Sequence, residues 1–198
     1  AENIRKVLET LPPGVKLVAV SKTKPVEDIR EAYHAGQRLF GENRAQEMAA
    51  KPPLLPGDIG WHFIGHLQTN KIKTIAPFVS CIQSVDSLKL LQEIDKEARK
   101  NNRTIPCLLQ FYIAKEETKF GLTEEEANHL LQHPAYRSLQ NVCLSGVMGM
   151  ASFSDDENLV RREFRQLKMI FDRLKADYFP ADPAFCEVSM GMSDDFRI

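Results

Sequence analysis

No apolar run in this chain is longer than a β-strand, which excludes a helical membrane span. Charge of one sign is also missing. Lysine and arginine total 26 against 27 aspartates and glutamates, a formal net charge of −1, so no strong field draws the chain to nucleic acid or an anionic membrane. Cysteine is sparse: Cys81, Cys107, Cys143 and Cys186 stand far apart, without metal-binding spacing, each in or beside an apolar run. Buried structural thiols in a reducing, cytoplasmic setting are the expectation. The N-terminal residues are polar and helical in pattern and do not read as a signal peptide. No Gly/Ser linker or charge block divides the 198 residues, so residues 1–198 read as one domain. There is no G-x-G-x-x-G after the first apolar run, which weakens a dinucleotide-binding reading.

What is present is a globular composition, 43% hydrophobic and 27% charged. Strands are expected at residues 17–21, 38–40, 60–64, 78–82, 105–111, 142–148 and 185–188. Amphipathic segments lie between them. Leu88, Leu91, Ile94 and Ala98 mark one helix face, and Val160, Phe164, Leu167, Phe171 and Leu174 a longer one. Thr123 with Glu126 and Ser154 with Glu157 have the spacing of capping boxes, and Asp86 is placed to cap the helix after the fourth strand. Repeated strand, loop and helix argue for α/β with a parallel sheet, either doubly wound or a (β/α)8 TIM-type barrel. Polar residues recur at successive strand ends: Ser21 and Lys22, Glu42 and Asn43, His66, Gln83 and Ser84, Gln110, Ser189. A barrel gathers such ends at one mouth and is preferred. Seven strands are visible where a closed barrel needs eight. The expectation is therefore that the sequence lacks the last strand and helices, that the natural protein extends past Ile198, and that a chain stopping there binds its ligand poorly.

Two segments carry chemistry. In V-A-V-S-K-T-K-P, residues 18–25, a valine-rich strand ends in Lys22 before Pro25 opens a helix. Alternation puts Val18, Val20 and Lys22 on one face. An inward, partly desolvated amine there is a nucleophile for a carbonyl group; an outward one is an ordinary surface lysine. In E-V-S-M-G-M-S-D-D-F, residues 187–196, a strand ends, a glycine turn follows, and a helix is expected from Ser193. Two hydroxyls and backbone N–H groups suit a phosphate there, and Ser193 serves equally as a simple helix cap. A lysine and a phosphate turn at one mouth point to a phosphorylated aldehyde, and pyridoxal 5′-phosphate (PLP) fits that description.

Other segments stay ambiguous. Asn43 in G-E-N-R-A-Q-E either caps a helix or orients a ligand. His62 and His66 straddle a strand-to-helix turn with no carboxylate beside them. A hydrogen-bonding role for His62 is expected ahead of a metal site. The charged loop at residues 115–121 is either a solvated loop or a cover over the mouth.

Taken together, V-S-K-T-K-P, G-E-N-R-A-Q-E, W-H-F-I-G-H-L-Q-T-N-K, E-E-T-K-F-G-L, G-V-M-G-M and S-M-G-M-S-D-D-F resemble, in order and over nearly the whole chain, the pyridoxal-phosphate homeostasis protein family, also called the proline synthase co-transcribed family. The resemblance implies a barrel like the N-terminal domain of alanine racemase, with PLP as an aldimine on Lys22. It also implies that Asn43 and the turn of Ser189, Gly191, Met192 and Ser193 lie on the cofactor. In that family a final strand bearing V-R-I-G, then I-F-G, supplies an arginine to the pyridine nitrogen and backbone to the phosphate. This sequence stops short of it. The reading is a monomeric protein that carries or buffers PLP without turnover, with PLP-dependent apoenzymes as transient partners. A barrel racemase needs a second base, usually a tyrosine from another domain. Here Tyr112 is the one tyrosine expected near the mouth. The alternatives are a racemase-like PLP enzyme and a Schiff-base aldolase acting on a sugar phosphate.

Overall fold

Seven short parallel strands alternate with helices in the computed structural model, which describes residues 2–114 and 120–198. The strands are β1 (Ala19–Val20), β2 (Leu39–Glu42), β3 (Gly60–Phe63), β4 (Cys81–Val85), β5 (Ile105–Phe111), β6 (Val142–Gly149) and β7 (Glu187–Ser189). They form one sheet in the order β1-β2-β3-β4-β5-β6-β7, every pair parallel. Helices α1 (Glu2–Thr10), α2 (Val26–His34), α3 (Ala45–Ala50), α4 (Ile72–Ile75), α5 (Leu88–Lys100), α6 (Glu124–Gln132), α7 (Pro134–Arg137) and α8 (Glu157–Tyr178) lie around it. Among the described residues no helix is long and apolar enough to cross a membrane.

The sheet is curled. In a flat sheet β4 and β7 would lie about 14 Å apart, three strand spacings. Yet the Ser189 hydroxyl on β7 donates to Gln83 Oε1 on β4 at 2.7 Å. Lys16, ahead of β1, also pairs with Glu187 at the start of β7, joining positions 171 residues apart in sequence. The seven expected strands are therefore present and bent toward a barrel, with an opening between β1 and β7.

The main core lies between the outer face of the sheet and the helices. Phe40, Trp61, Phe63, Ile82, Cys107, Leu109 and Phe111 meet Ile94, Ala127, Leu131, Leu167 and Leu174 there. A smaller cluster of Cys81, Leu108 and Met148 is separate from it. Behind β7, Phe185 stacks between Phe171 and Phe179, with ring centroids 5.2 and 4.2 Å away. The buried Glu163 of α8 accepts from Ser152 N–H at 2.7 Å and Ser152 Oγ at 2.8 Å, fixing the chain as it leaves β6.

Several local expectations need correction. The Thr123 and Glu126 capping box is present. The long helix is capped instead by Asp156, which accepts from Asn158 and Leu159, and Ser154 serves the turn before it by accepting from Asp156 N–H. Ser87 rather than Asp86 caps α5, because its hydroxyl reaches Leu90 N–H. Arg44, not Asn43, is the N-cap position of α3. Among the cysteines, Cys81 and Cys107 are buried as expected, but Cys186 is exposed because it precedes the edge strand β7. Burial pushes the Cys81 thiol up to about 12.

Candidate functional site

Because all the strands are parallel, their C-terminal ends open at one mouth, and the residues read from the sequence fall there. Lys22 follows β1, Asn43 follows β2, Ser189 ends β7, and Gly191, Met192 and Ser193 form the turn beyond it. Val20 lies opposite Gly41, and Ser21 N–H donates to Gly41 O at 2.9 Å, so Lys22 stands level with the Glu42 and Asn43 step. A Cβ on Gly41 would sit 3.0 Å from Ile64 and 3.1 Å from Val18, on the face away from the buried Phe40. Val18 therefore faces the barrel interior, and alternation turns Val20 and Lys22 the same way. Both readings of this amine meet here: it lies on the inward face, yet among the described residues Lys22 is exposed and Val20 keeps 51% of its surface, β1 being an edge strand of the sheet.

Directly behind Lys22 lies a charged cluster that the sequence reading did not find. The carboxylate of Glu42, fully buried at the end of β2, accepts from Ser21 Oγ and Lys51 Nζ, both at 2.6 Å. Lys51, at the end of α3, also donates to Ser21 O and to Glu47 Oε1, each at 2.8 Å. That uses all three ammonium protons. Glu47 Oε1 in turn accepts from Thr23 N–H at 2.6 Å. The Lys51 ammonium holds the Glu47 carboxyl below the usual carboxylate range. The backbone on both sides of Lys22 is thus tied to one centre. Thr23 sits at φ 63°, a left-handed conformation that costs a non-glycine residue about 1–2 kcal/mol. The one signal in the sequence was the Glu47 and Lys51 spacing of four on a helix.

Inside the barrel a second chain of polar groups runs from β3 to β7. His62 Nδ1 lies 2.8 Å from Gln83 Nε2, and Gln83 Oε1 accepts from Ser189 Oγ. His62 is thus the internal hydrogen-bonding residue expected, and Gln83 orients Ser189. Burial, assisted by Lys16 and opposed by Glu187, pushes the imidazole down to about 4. The unfolded chain takes up this proton below about pH 6.5, whereas the folded imidazole resists it until about pH 4. Protonation therefore favours unfolding across that window. Stability is expected to fall by about 3 kcal/mol as pH drops through it, with no contribution above it. Urea unfolding between pH 4 and 7 should show a shallower slope for His62→Gln than for the parent chain. Equal slopes would remove His62 from the account.

The turn after β7 departs from the helix expected at Ser193. Asp195 and Phe196 N–H groups both donate to Met192 O, a single tight turn among residues that do not form a helix. Gly191 adopts φ +84°, and a Cβ there would meet Phe196 Cα at 3.2 Å. The Met192 N–H is committed to the buried carboxylate of Asp195, whereas Ser193 is exposed. Exposed apolar side chains stand at or just beyond the C-terminal ends of three strands: Val20 on β1, Met150 after β6, and Met190 and Met192 after β7. His66 lies beyond β3, where it stacks on Phe120 at 4.0 Å and approaches Asp86 at 3.5 Å, apart from His62. Most of the charged loop read at 115–121, including Lys115 and Lys119, lies outside the described residues.

An exposed amine, a hydroxyl at the edge strand opposite, and a glycine turn at φ +84° where a Cβ would be tight form a donor set whose chemistry fits a phosphorylated aldehyde. Comparison with known proteins gives the family. Residues 1–197 match the family described as alanine racemase, N-terminal domain. The pyridoxal phosphate homeostasis protein of Aquifex aeolicus is 39% identical over all of this chain and 86% of its own length. That of mouse is 35% identical over 92% of this chain and 69% of its own. PipY of Synechococcus elongatus, solved with PLP bound, superposes with a TM-score of 0.88 at 36% identity, covering 99% of this chain and 90% of PipY. An alanine racemase of Clostridium difficile shares the fold, with a TM-score of 0.70 at 15% identity over 97% of this chain and 50% of the racemase. Matched over nearly its whole length by that family model and 39% identical to a curated member, this chain belongs to the pyridoxal phosphate homeostasis protein family, within the alanine racemase N-terminal-domain fold.

Proposed function

We propose that this chain binds PLP at the mouth of its barrel and carries or buffers it, acting as a monomer in the cytoplasm and passing PLP transiently to apoenzymes. The single observation that carries the reading is Lys22, an amine held at the C-terminal end of β1 at the mouth of the sheet, in a chain 36% identical to a protein solved with PLP. PLP supplies an aldehyde that condenses with an amine with loss of water, and a phosphate that hydrogen-bond donors hold. Lys22 is the proposed attachment point. Ser193 and backbone of the turn at Gly191 and Met192 are the proposed phosphate contacts, with Ser189 below them. The Met192 N–H already serves Asp195, so Ser193 carries the larger share. Asn43, beside Lys22, is the proposed contact to the ring or its hydroxyl.

Carriage over turnover is supported by the curated relatives, which are described as pyridoxal phosphate homeostasis proteins. A stereospecific proton transfer needs a second base on the opposite side of the ring. The test is direct. PLP added to the purified chain should produce a visible absorbance band, and borohydride should fix one PLP per chain by mass. Gel filtration should return the mass of one chain, and alanine should not be racemised at an enzymatic rate. Absence of a borohydride-fixed adduct would overturn the binding claim, and sustained racemisation the carrier claim.

A further inference from the structure

The clustered charges behind β1 have a geometry that ordinary stabilisation does not require. A buried ion pair is a weak source of stability, since its desolvation offsets its attraction. Here Glu42 has no exposed surface and Lys51 is 5% exposed. What the pair does accomplish is local. Lys51 grips the carbonyl of Ser21, Glu42 grips the hydroxyl of Ser21, and Glu47 grips the N–H of Thr23. These are the peptide groups immediately before and after Lys22. Thr23 is held in a left-handed conformation with its N–H directed at Glu47. Lys24 N–H then closes the turn onto Ser21 O at 3.1 Å. The two-residue strand β1 ends at Val20, so pairing with β2 reaches this segment only through Ser21 N–H and Gly41 O.

We propose that Lys51, set between Glu42 and Glu47, is a positioning residue that fixes the backbone on both sides of Lys22 and so sets the direction in which its amine enters the mouth. The proposal rests on the reading of Lys22 as the attachment point. It adds that α3, which touches no ligand in that reading, governs how readily the bond forms. The same geometry keeps Lys51 from competing: its three protons are spent and its amine is buried.

The experiment compares two probes on the full chain. PLP reports covalent retention; 4′-deoxypyridoxine phosphate, which lacks the aldehyde, reports the non-covalent contacts alone. Glu47→Ala releases Thr23 N–H and one bond of Lys51. It should weaken PLP retention roughly tenfold while leaving the affinity for the deoxy analogue and the urea midpoint close to the parent values. Glu47→Gln keeps an acceptor oxygen and should recover most of the loss. Should Glu47→Ala fail to fold, the double substitution Glu42→Gln with Lys51→Met removes both buried charges together, and the same separation between probes is expected. Equal weakening of both probes would make the cluster merely structural, and unchanged PLP retention would overturn the proposal outright. Lys22→Ala run alongside separates the two claims. An adduct that persists in it refutes Lys22 itself, whereas an adduct lost in it and undiminished in the Glu47 and Lys51 variants refutes the positioning role alone.

Discussion

Lys22→Ala should abolish the visible band and the borohydride-fixed adduct while leaving the fold intact. The side chain is exposed, and none of the bonds that hold the segment passes through it; they use Ser21, Thr23 and Lys24 backbone and the Ser21 hydroxyl. Removing it therefore costs little stability, within about 0.5 kcal/mol for a surface change of this kind. The effect on attachment is all or none, because the neighbouring amines are placed otherwise. Lys51 is buried and fully bonded. Lys16, ahead of β1, is paired with Glu187, and that carboxylate raises its pKa by hydrogen bonding and charge. Lys24 is the informative control, since it is exposed and shares parity with Lys22. Peptide mapping that places the adduct on Lys24 in the parent chain would refute the assignment. A Lys22→Ala chain that still yields a full adduct would do the same.

The largest loss of stability should come from Gly146→Ala. Gly146 lies in β6 opposite Glu187 of β7, at φ +153°. A Cβ there would stand 1.8 Å from the Glu187 carbonyl oxygen and 2.7 Å from its carbon. The obstacle is backbone, so no side-chain rotation relieves it. One strand must move, and β7, three residues long and paired on one side only, is the one that yields. Its displacement breaks the β6 ladder and draws Ser189 away from Gln83. A cost above about 3 kcal/mol follows from overpacking plus lost pairing. The urea midpoint should drop sharply, and PLP retention should fall with it because the turn at Gly191 moves too. A midpoint equal to that of the parent chain would show that β7 adapts freely and is not a fixed wall of the site.

The fold was readable where its signals are local. The Ile105–Phe111 strand appears with its expected bounds because the turn after Lys100 precedes an apolar run interrupted by Gln110 alone. Residues 78–82 were misplaced for the same kind of reason. Phe78 and Val79 extend the apolar run but belong to the turn leaving α4, where both N–H groups return to Ile75 O, and the strand itself is Cys81–Val85. Hydrophobicity alone does not mark where a buried turn becomes a buried strand. At the site, the strand-end placement of Lys22 was readable, but the choice between an inward and an outward amine was not, because it depends on strands distant in sequence. The Lys51 centre and the His62, Gln83 and Ser189 chain were unreadable because they join residues up to 106 positions apart. A polar residue in a strand does not announce the strand from which its partner comes.

Strand order that follows chain order has a consequence for the molecule's assembly during synthesis. Each strand docks on the one before it, so every pairing requires closure of a single helical connection and none waits for a distant partner. A chain emerging from the ribosome offers each new strand to an edge already in place. The side chains that grip Ser21 and Thr23 come from β2, α3 and the residue that ends α3, all within 30 residues of Ser21. The turn after β7 follows all six of the other strands. The backbone around Lys22 is thus seated early, and the groups proposed to hold a phosphate arrive only after β1 to β6 are in place.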